Sequence, residues 1–167
     1  MIYIGLDQSL LNTGIAIIEF DLCPQTNKII IHHIKIETLT TKHIKDFNQK
    51  LIFILNNLDS ILNLIPCHVS YEGIFKSLNV NTLIKLAKVQ GCVETLIGKY
   101  NLAHAIVTPR EWQVEFELNK IKDKEKSVEY VNTHPELVNN ITSGELNNHT
   151  ADAILIALFS IKQLLKD

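Results

Sequence analysis

Short β-branched runs fill the first forty residues, and longer stretches of helical period follow. Ile2-Tyr3-Ile4 predicts a first strand, and the turn Ser9 to Thr13 leads to a second over Gly14 to Phe20. After the polar turn Cys23 to Asn27, Lys28 to Glu37 alternates apolar and polar residues and predicts a third. Three strands joined by short turns imply an antiparallel meander. From Thr41 to Leu64 the apolar positions Ile44, Phe47, Leu51, Ile54, Leu58 and Ile61 take helical spacing, and Pro66 stops the run. Val69 to Glu72 predicts a fourth strand, Asn79 to Lys99 a helix capped by Asn79, and Ala103 to Val107 a fifth strand. Pro109 opens a short turn or helix, a further helix runs from about Glu125 to Asn132, and Pro135 to Leu146 reads as a polar loop. The last helix, from about His149 to Leu165, is apolar nearly all round, so it is expected to be buried on more than one side. The order predicts an α/β fold with a five-stranded mixed sheet, its first three strands antiparallel, flanked by helices.

Within the Asn79–Lys99 helix two stripes stand out. Ala87, Gly91 and Gly98 are small and invite close approach of another backbone, either the sheet or a partner helix. Leu83, Leu86, Val93 and Ile97 are more apolar surface than that packing needs, and predict the contact of a homodimer.

Composition narrows this picture little. At 167 residues, the chain suits one domain over 1–167. Its longest apolar run, Ala153 to Phe159, is too short for a bilayer, so no membrane is expected. Cys23, Cys67 and Cys92 are scattered and odd in number, which predicts reduced thiols and a cytoplasmic setting. A net charge of −2 argues against a generic nucleic-acid binder. The distribution softens that objection: Lys76, Lys85, Lys88, Lys99, Arg110, Lys120, Lys122, Lys124 and Lys126 fall in one stretch. These lysines read equally well as a solvated surface.

The chemistry lies in four residues. Asp7 ends the first strand, Glu72 ends the fourth, and His149 and Asp152 share a face at the start of the last helix by their i, i+3 spacing. Alone, Asp7 reads as a turn aspartate, and Asp152 as a helix N-terminal acid favoured by the macrodipole with His149 as a cap. Neither reading explains Glu72, beside Gly73 and Ile74 at the end of an apolar strand. Buried acids need partners, and no basic residue is near in sequence, so a divalent metal is the simplest partner. Hard oxygen donors point to Mg²⁺, and one imidazole shifts the balance toward Mn²⁺.

These motifs, in this order, resemble the RuvC-type Holliday junction resolvases of the ribonuclease H-like superfamily. Gly5-Leu-Asp7-Gln-Ser-Leu-Leu-Asn-Thr-Gly14-Ile-Ala resembles the family's opening hairpin, and Tyr71-Glu72-Gly-Ile-Phe75 its second acidic motif. Lys85-Leu-Ala-Lys-Val-Gln-Gly91 resembles the helix that follows, and His149-Thr-Ala-Asp152-Ala153 the final motif. The resemblance implies that Asp7, Glu72, His149 and Asp152 hold two divalent ions, Mg²⁺ with Mn²⁺ as substitute. One ion activates the attacking water and the other stabilises the leaving 3′-oxygen, about 4 Å away. It implies 5′-phosphate and 3′-hydroxyl ends, a homodimer, and branched DNA (four-way junctions and Y-forks) as partner. Phe75 matches an aromatic that stacks on bases, and Lys126-Ser127 a pair that approaches the DNA backbone. Lys76, Lys85, Lys88, Arg110, Lys120, Lys122, Lys124 and Lys126 are then expected at the DNA.

The chain departs from the family's pattern after the fifth strand. Trp112-Gln113 stands where relatives place a lysine, so Arg110 or Lys120 is expected to supply that charge. The Val114 to Lys124 segment is longer than in bacterial relatives, and the Ile-, Asn- and Lys-rich composition is that of an AT-rich genome, with a phage or other viral source expected. Two other readings stay open: a ribonuclease H-like nuclease for RNA–DNA hybrids or forks, and a non-catalytic branched-DNA-binding protein. A sugar-kinase reading of Gly5-Leu-Asp7 fails on size.

Overall fold

The computed structural model describes residues 1–23, 25–26, 28–63, 67–74 and 79–166. The described residues form six strands in one sheet of order β5-β4-β1-β2-β3-β6. β1 (Ile2–Asp7), β2 (Asn12–Cys23) and β3 (Lys28–Thr40) make the expected antiparallel meander. β4 (His68–Glu72) adds parallel to β1, and β5 (Ala103–Val107) parallel to β4.

The sixth strand corrects the expected five. β6 (Ile141–Ser143) pairs parallel with β3, inside the segment read as a polar loop, after the single-turn helix α5 (Pro135–Val138). Three residues are too few to show a period. β6 is held by its partner, with Ile34 N donating to Asn140 O at 2.7 Å and Thr142 Oγ1 donating to Ile34 O at 3.3 Å.

Helices cover both faces. On one side α1 (Phe47–Leu62) and α2 (Val80–Tyr100) close a core with Ile4, Leu6, Ile15, Val69 and Tyr71. On the other, α6 (Asn148–Gln163), with α3 (Pro109–Glu115) and α4 (Lys126–Thr133), closes a second core with Tyr3, Ala16, Ile18 and Ile34. α1 starts later than its apolar period suggests, at the Asp46 N-cap. Thr41, read as the first helical residue, instead donates through Oγ1 to Leu10 O and through its backbone N–H to Leu11 O, tying down the β1–β2 turn. Pro66, the expected stop of that helix, lies outside the described residues.

α2 begins at its expected cap: the Asn79 side chain accepts from the N–H groups of Asn81 and Thr82. Its two stripes exchange roles. Val93 and Ile97, assigned to a dimer contact, are buried in the chain's own core, and Leu83 and Leu86 are half-buried. A side chain added at Gly91 or Gly98 would meet nothing within 4 Å, so the small stripe does not pack on the sheet. It faces outward with Val80 and Ile84, 66% and 49% exposed. No helix among the described residues is long and apolar enough to cross a membrane, and all three cysteines are free thiols.

Candidate active site

Two glycines let the last helix reach the strand ends. A Cβ on Gly5 of β1 would collide with the Ala153 carbonyl oxygen of α6, and one on Gly14 of β2 with the His149 carbonyl oxygen. Gly14 is also the register partner of Asp7. Only glycine at both positions lets the α6 backbone lie directly on β1 and β2, and that crossing lowers the start of α6 onto Asp7.

The start of α6 is fixed from the loop side. Its N-cap is Asn147, not His149: the Asn147 side chain accepts from the His149 and Thr150 N–H groups, and Thr150 Oγ1 accepts from Asn147 N. Asn147 Nδ2 also donates to Thr38 Oγ1 of β3 at 3.0 Å. Capping by Asn147 frees the His149 ring, whose Nδ1 donates to Asp7 Oδ2 at 2.7 Å. His149 is more open than its partner, 37% exposed against 16%, so the pair sits at the rim of the site.

The four expected residues lie near enough for their charges to act on one another. Burial pushes the Glu72 carboxyl up to about 7; the Trp112 indole N–H beside it opposes that rise, and the charges of Asp7 and Asp152 add to it. Burial likewise pushes Asp152 up to about 6, against the Ser127 hydroxyl and with Asp7 adding repulsion. The hydrogen bond to Asp7 holds the His149 pKa above the ordinary imidazole value, against a smaller effect of burial. Buried carboxyls raised to near-neutral pKa values, with mutual repulsion adding to the effect of burial, suit hard divalent cations, which supply the missing counter-charge.

As the side chains stand, no three His, Cys, Asp or Glu residues among the described residues form a cluster that could hold a metal ion. Each acid has a stand-in donor: His149 for Asp7, the Trp112 indole for Glu72, and Ser127 for Asp152. Trp112 and Gln8 are the site residues that sequence reasoning missed. Trp112 Nε1 donates to Glu72 Oε1 at 3.0 Å, and Gln8 Nε2 to Glu72 O at 2.7 Å. Gln8 adjoins Asp7 in the first motif, a signal that could have found it; Trp112 is forty positions from Glu72.

The basic residues divide. Lys85 and Lys88 are exposed on α2, Lys88 Nζ standing 5.0 Å from the Phe47 ring centroid. Lys85 and Lys50 line a cavity of about 340 Å³ with the Ser9–Leu11 turn that follows Asp7. Arg110, Lys120, Lys122 and Lys124 are exposed. The Lys126 ammonium is engaged inside the chain, donating to Gln113 Oε1 and Leu118 O, both at 3.0 Å, and to Ile121 O at 3.4 Å. It fastens the long segment after α3, and its charge lowers the Asp152 pKa. Lys42, unremarked in the sequence, acts in the same way on His149. Phe75 and Lys76 lie outside the described residues.

A mixed sheet with acids at the adjacent ends of β1 and β4, and a third, Asp152, near the start of a final helix laid across them, is the ribonuclease H-like arrangement. Within that class the chain belongs to the RuvC family: the family model for the crossover junction endodeoxyribonuclease RuvC matches residues 3–160. It is 28% identical to the RuvC of Brachyspira hyodysenteriae over 159 residues, covering 95% of this chain and 92% of that one. It is 30% identical to the Rickettsia prowazekii RuvC over 103 residues, covering 61% and 62%. Among solved structures, Thermus thermophilus RuvC in complex with a Holliday junction substrate superposes with a TM-score of 0.74 at 14% identity, over 98% of this chain and 95% of that one. The Fowlpox virus resolvase bound to Holliday junction DNA gives 0.53 at 16% identity, over 99% of each.

Proposed function

We propose that residues 1–167 act as one nuclease domain that resolves Holliday junctions and related branched DNA by metal-assisted phosphodiester hydrolysis. The observation that carries this reading is the crossing of α6 over Gly5 and Gly14, which brings His149 and Asp152 to Asp7 and Glu72. Such an arrangement has no structural need of three acids; it needs their charge. The family's nucleases depend in general on divalent metal, and Mg²⁺, with Mn²⁺ as substitute, suits this donor set. Two such ions would activate the attacking water and stabilise the leaving 3′-oxygen, giving 5′-phosphate and 3′-hydroxyl ends.

The chain's own residues have separable roles. Asp7 and Asp152 present carboxylates from two elements whose spacing is fixed by backbone contact. Glu72 presents a third from the neighbouring strand. His149, turned by Asp7 through Nδ1, offers Nε2 only when that nitrogen is deprotonated. Arg110 and Lys120 to Lys124 supply phosphate contacts, and Lys50 and Lys85 extend them beside the β1–β2 turn; binding through such contacts falls steeply with salt.

A junction has near two-fold symmetry, and paired nicks call for two sites, so an isologous homodimer is the simplest assembly. The outward stripe of Val80, Ile84, Ala87, Gly91 and Gly98 is the surface we assign to it. Action in the cytoplasm follows from this substrate.

The deciding experiment incubates the protein with a labelled four-way junction, a Y-fork, an RNA–DNA hybrid and a linear duplex, with Mg²⁺, Mn²⁺ or a chelator. Paired, metal-dependent cuts in the four-way junction are expected. Cleavage confined to the hybrid, or junction binding without cleavage in any metal, would overturn the proposal.

A further inference from the structure

We infer that Trp112 is the positioning residue for the Glu72 carboxylate: its indole N–H fixes Oε1, and so sets the affinity of the site for a divalent cation. The inference rests on the metal-assisted function proposed above.

An indole N–H donates and cannot accept, so Trp112 can neither ligate a cation nor relay a proton. Towards Glu72 it acts only as a hydrogen-bond donor. The donor is held from several directions. Trp112 is 2% exposed, its ring packed into the core beneath α6. Its helix is locked by a reciprocal cap: Thr108 Oγ1 accepts from Glu111 N at 3.1 Å, and Glu111 Oε2 from Thr108 N at 2.8 Å. Val107, just before that cap, is the register partner of Glu72. Donor and acceptor therefore sit on adjacent parts of one rigid frame.

The backbone of Glu72 is secured independently of Trp112. Gln8 Nε2 donates to Glu72 O at 2.7 Å, and Gly73 N to Val107 O at 2.9 Å. Removing the indole N–H should leave the strand end in place and free only the carboxylate to rotate. Partners that orient a metal ligand are typically worth 10–100-fold in metal affinity or activity. Trp112 is also the chain's one tryptophan, so its emission reports on the surroundings of this residue.

The test uses the whole protein without DNA. Mg²⁺ binding is followed by calorimetry and, in parallel, by tryptophan emission. We expect emission to change and to saturate with the heat signal. In Trp112→Phe, with an intact circular dichroism spectrum, Mg²⁺ affinity should weaken about tenfold, and the metal concentration for half-maximal cleavage should rise more than the saturated rate falls. Wild-type affinity in folded Trp112→Phe would overturn the inference, as would calorimetric binding that leaves wild-type emission unchanged. If Trp112→Phe does not fold, the wild-type titration alone decides. A wild-type protein that binds no cation would overturn the metal-site reading and this inference with it, a result distinct from either failure above.

Discussion

Two helices of similar apolar content end in opposite situations. α6 buries ten of its sixteen residues against the centre of the sheet, and its first five residues include two of the four site residues. α2 buries four of twenty-one and keeps an outward face of Val80, Ile84, Ala87, Gly91 and Gly98. Both helices are crossed by small residues, but the glycines that matter to α6 lie on the strands beneath it, whereas those of α2 lie on its own open side. The site's geometry is thus settled within one chain, and α2 is left with a surface suited to close approach from outside.

Paired glycine substitutions should separate the two regions most sharply. Gly14→Ala drives a Cβ into the His149 carbonyl; backbone cannot yield as a flexible side chain can, so a loss of about 3 kcal/mol is expected. Gly91→Ala meets open space and replaces a mid-helix glycine, so it should leave the protomer unharmed or stabilise it by up to about 1 kcal/mol. Urea melts of both variants check this, with equal losses being the contrary result.

A smaller effect is expected from charge on the open face. Ile84→Glu should fold normally, because Ile84 is half exposed, yet sediment as a monomer where the wild type sediments as a dimer. Its nicking of a junction should lose pairing. A dimeric Ile84→Glu protein would remove α2 as the interface.

The third effect is on pH. Glu72 and Asp152 have folded-state pKa values raised to about 7 and about 6, and that of His149 is raised too. A raised value means that the folded state binds protons more tightly than the unfolded one. The stability this contributes is fully present below the unfolded pKa and is lost as pH rises through the folded value. The metal-free protein should therefore melt a few degrees lower at pH 8 than at pH 5.5, through these groups. Mg²⁺ should raise the melting temperature more at pH 8, where the carboxyls are ionised. A metal effect equal at both pH values would contradict metal binding by these buried acids.

Much of this was legible in the sequence where chemistry and local pattern coincide. Asp7 and Glu72 close apolar runs, and the i, i+3 spacing of His149 and Asp152 puts both on one face. The glycines of the opening motif, met first as part of a resemblance, acquire a mechanical reason in the α6 crossing. What escaped was non-local. β6 is too short to carry a period and exists because β3 offers an edge. The outward side of α2 could not be chosen from sequence, because Leu83, Leu86, Val93 and Ile97 and the small stripe are both plausible contacts until the sheet takes one. The Trp112–Glu72 bond joins residues that no motif links, and Lys126, placed at the DNA by its charge and by the resemblance of Lys126-Ser127, turns inward to three acceptors.

The central claim is that the acids brought together by α6 are there for chemistry. It is tested most directly by Asp152→Asn, with Asp7→Asn beside it, assayed for both binding and cleavage of a four-way junction in saturating Mg²⁺. The account predicts cleavage below detection with junction affinity kept or increased, since a buried negative charge near the DNA phosphate is removed. Cleavage retained at the wild-type rate in either folded variant would contradict it.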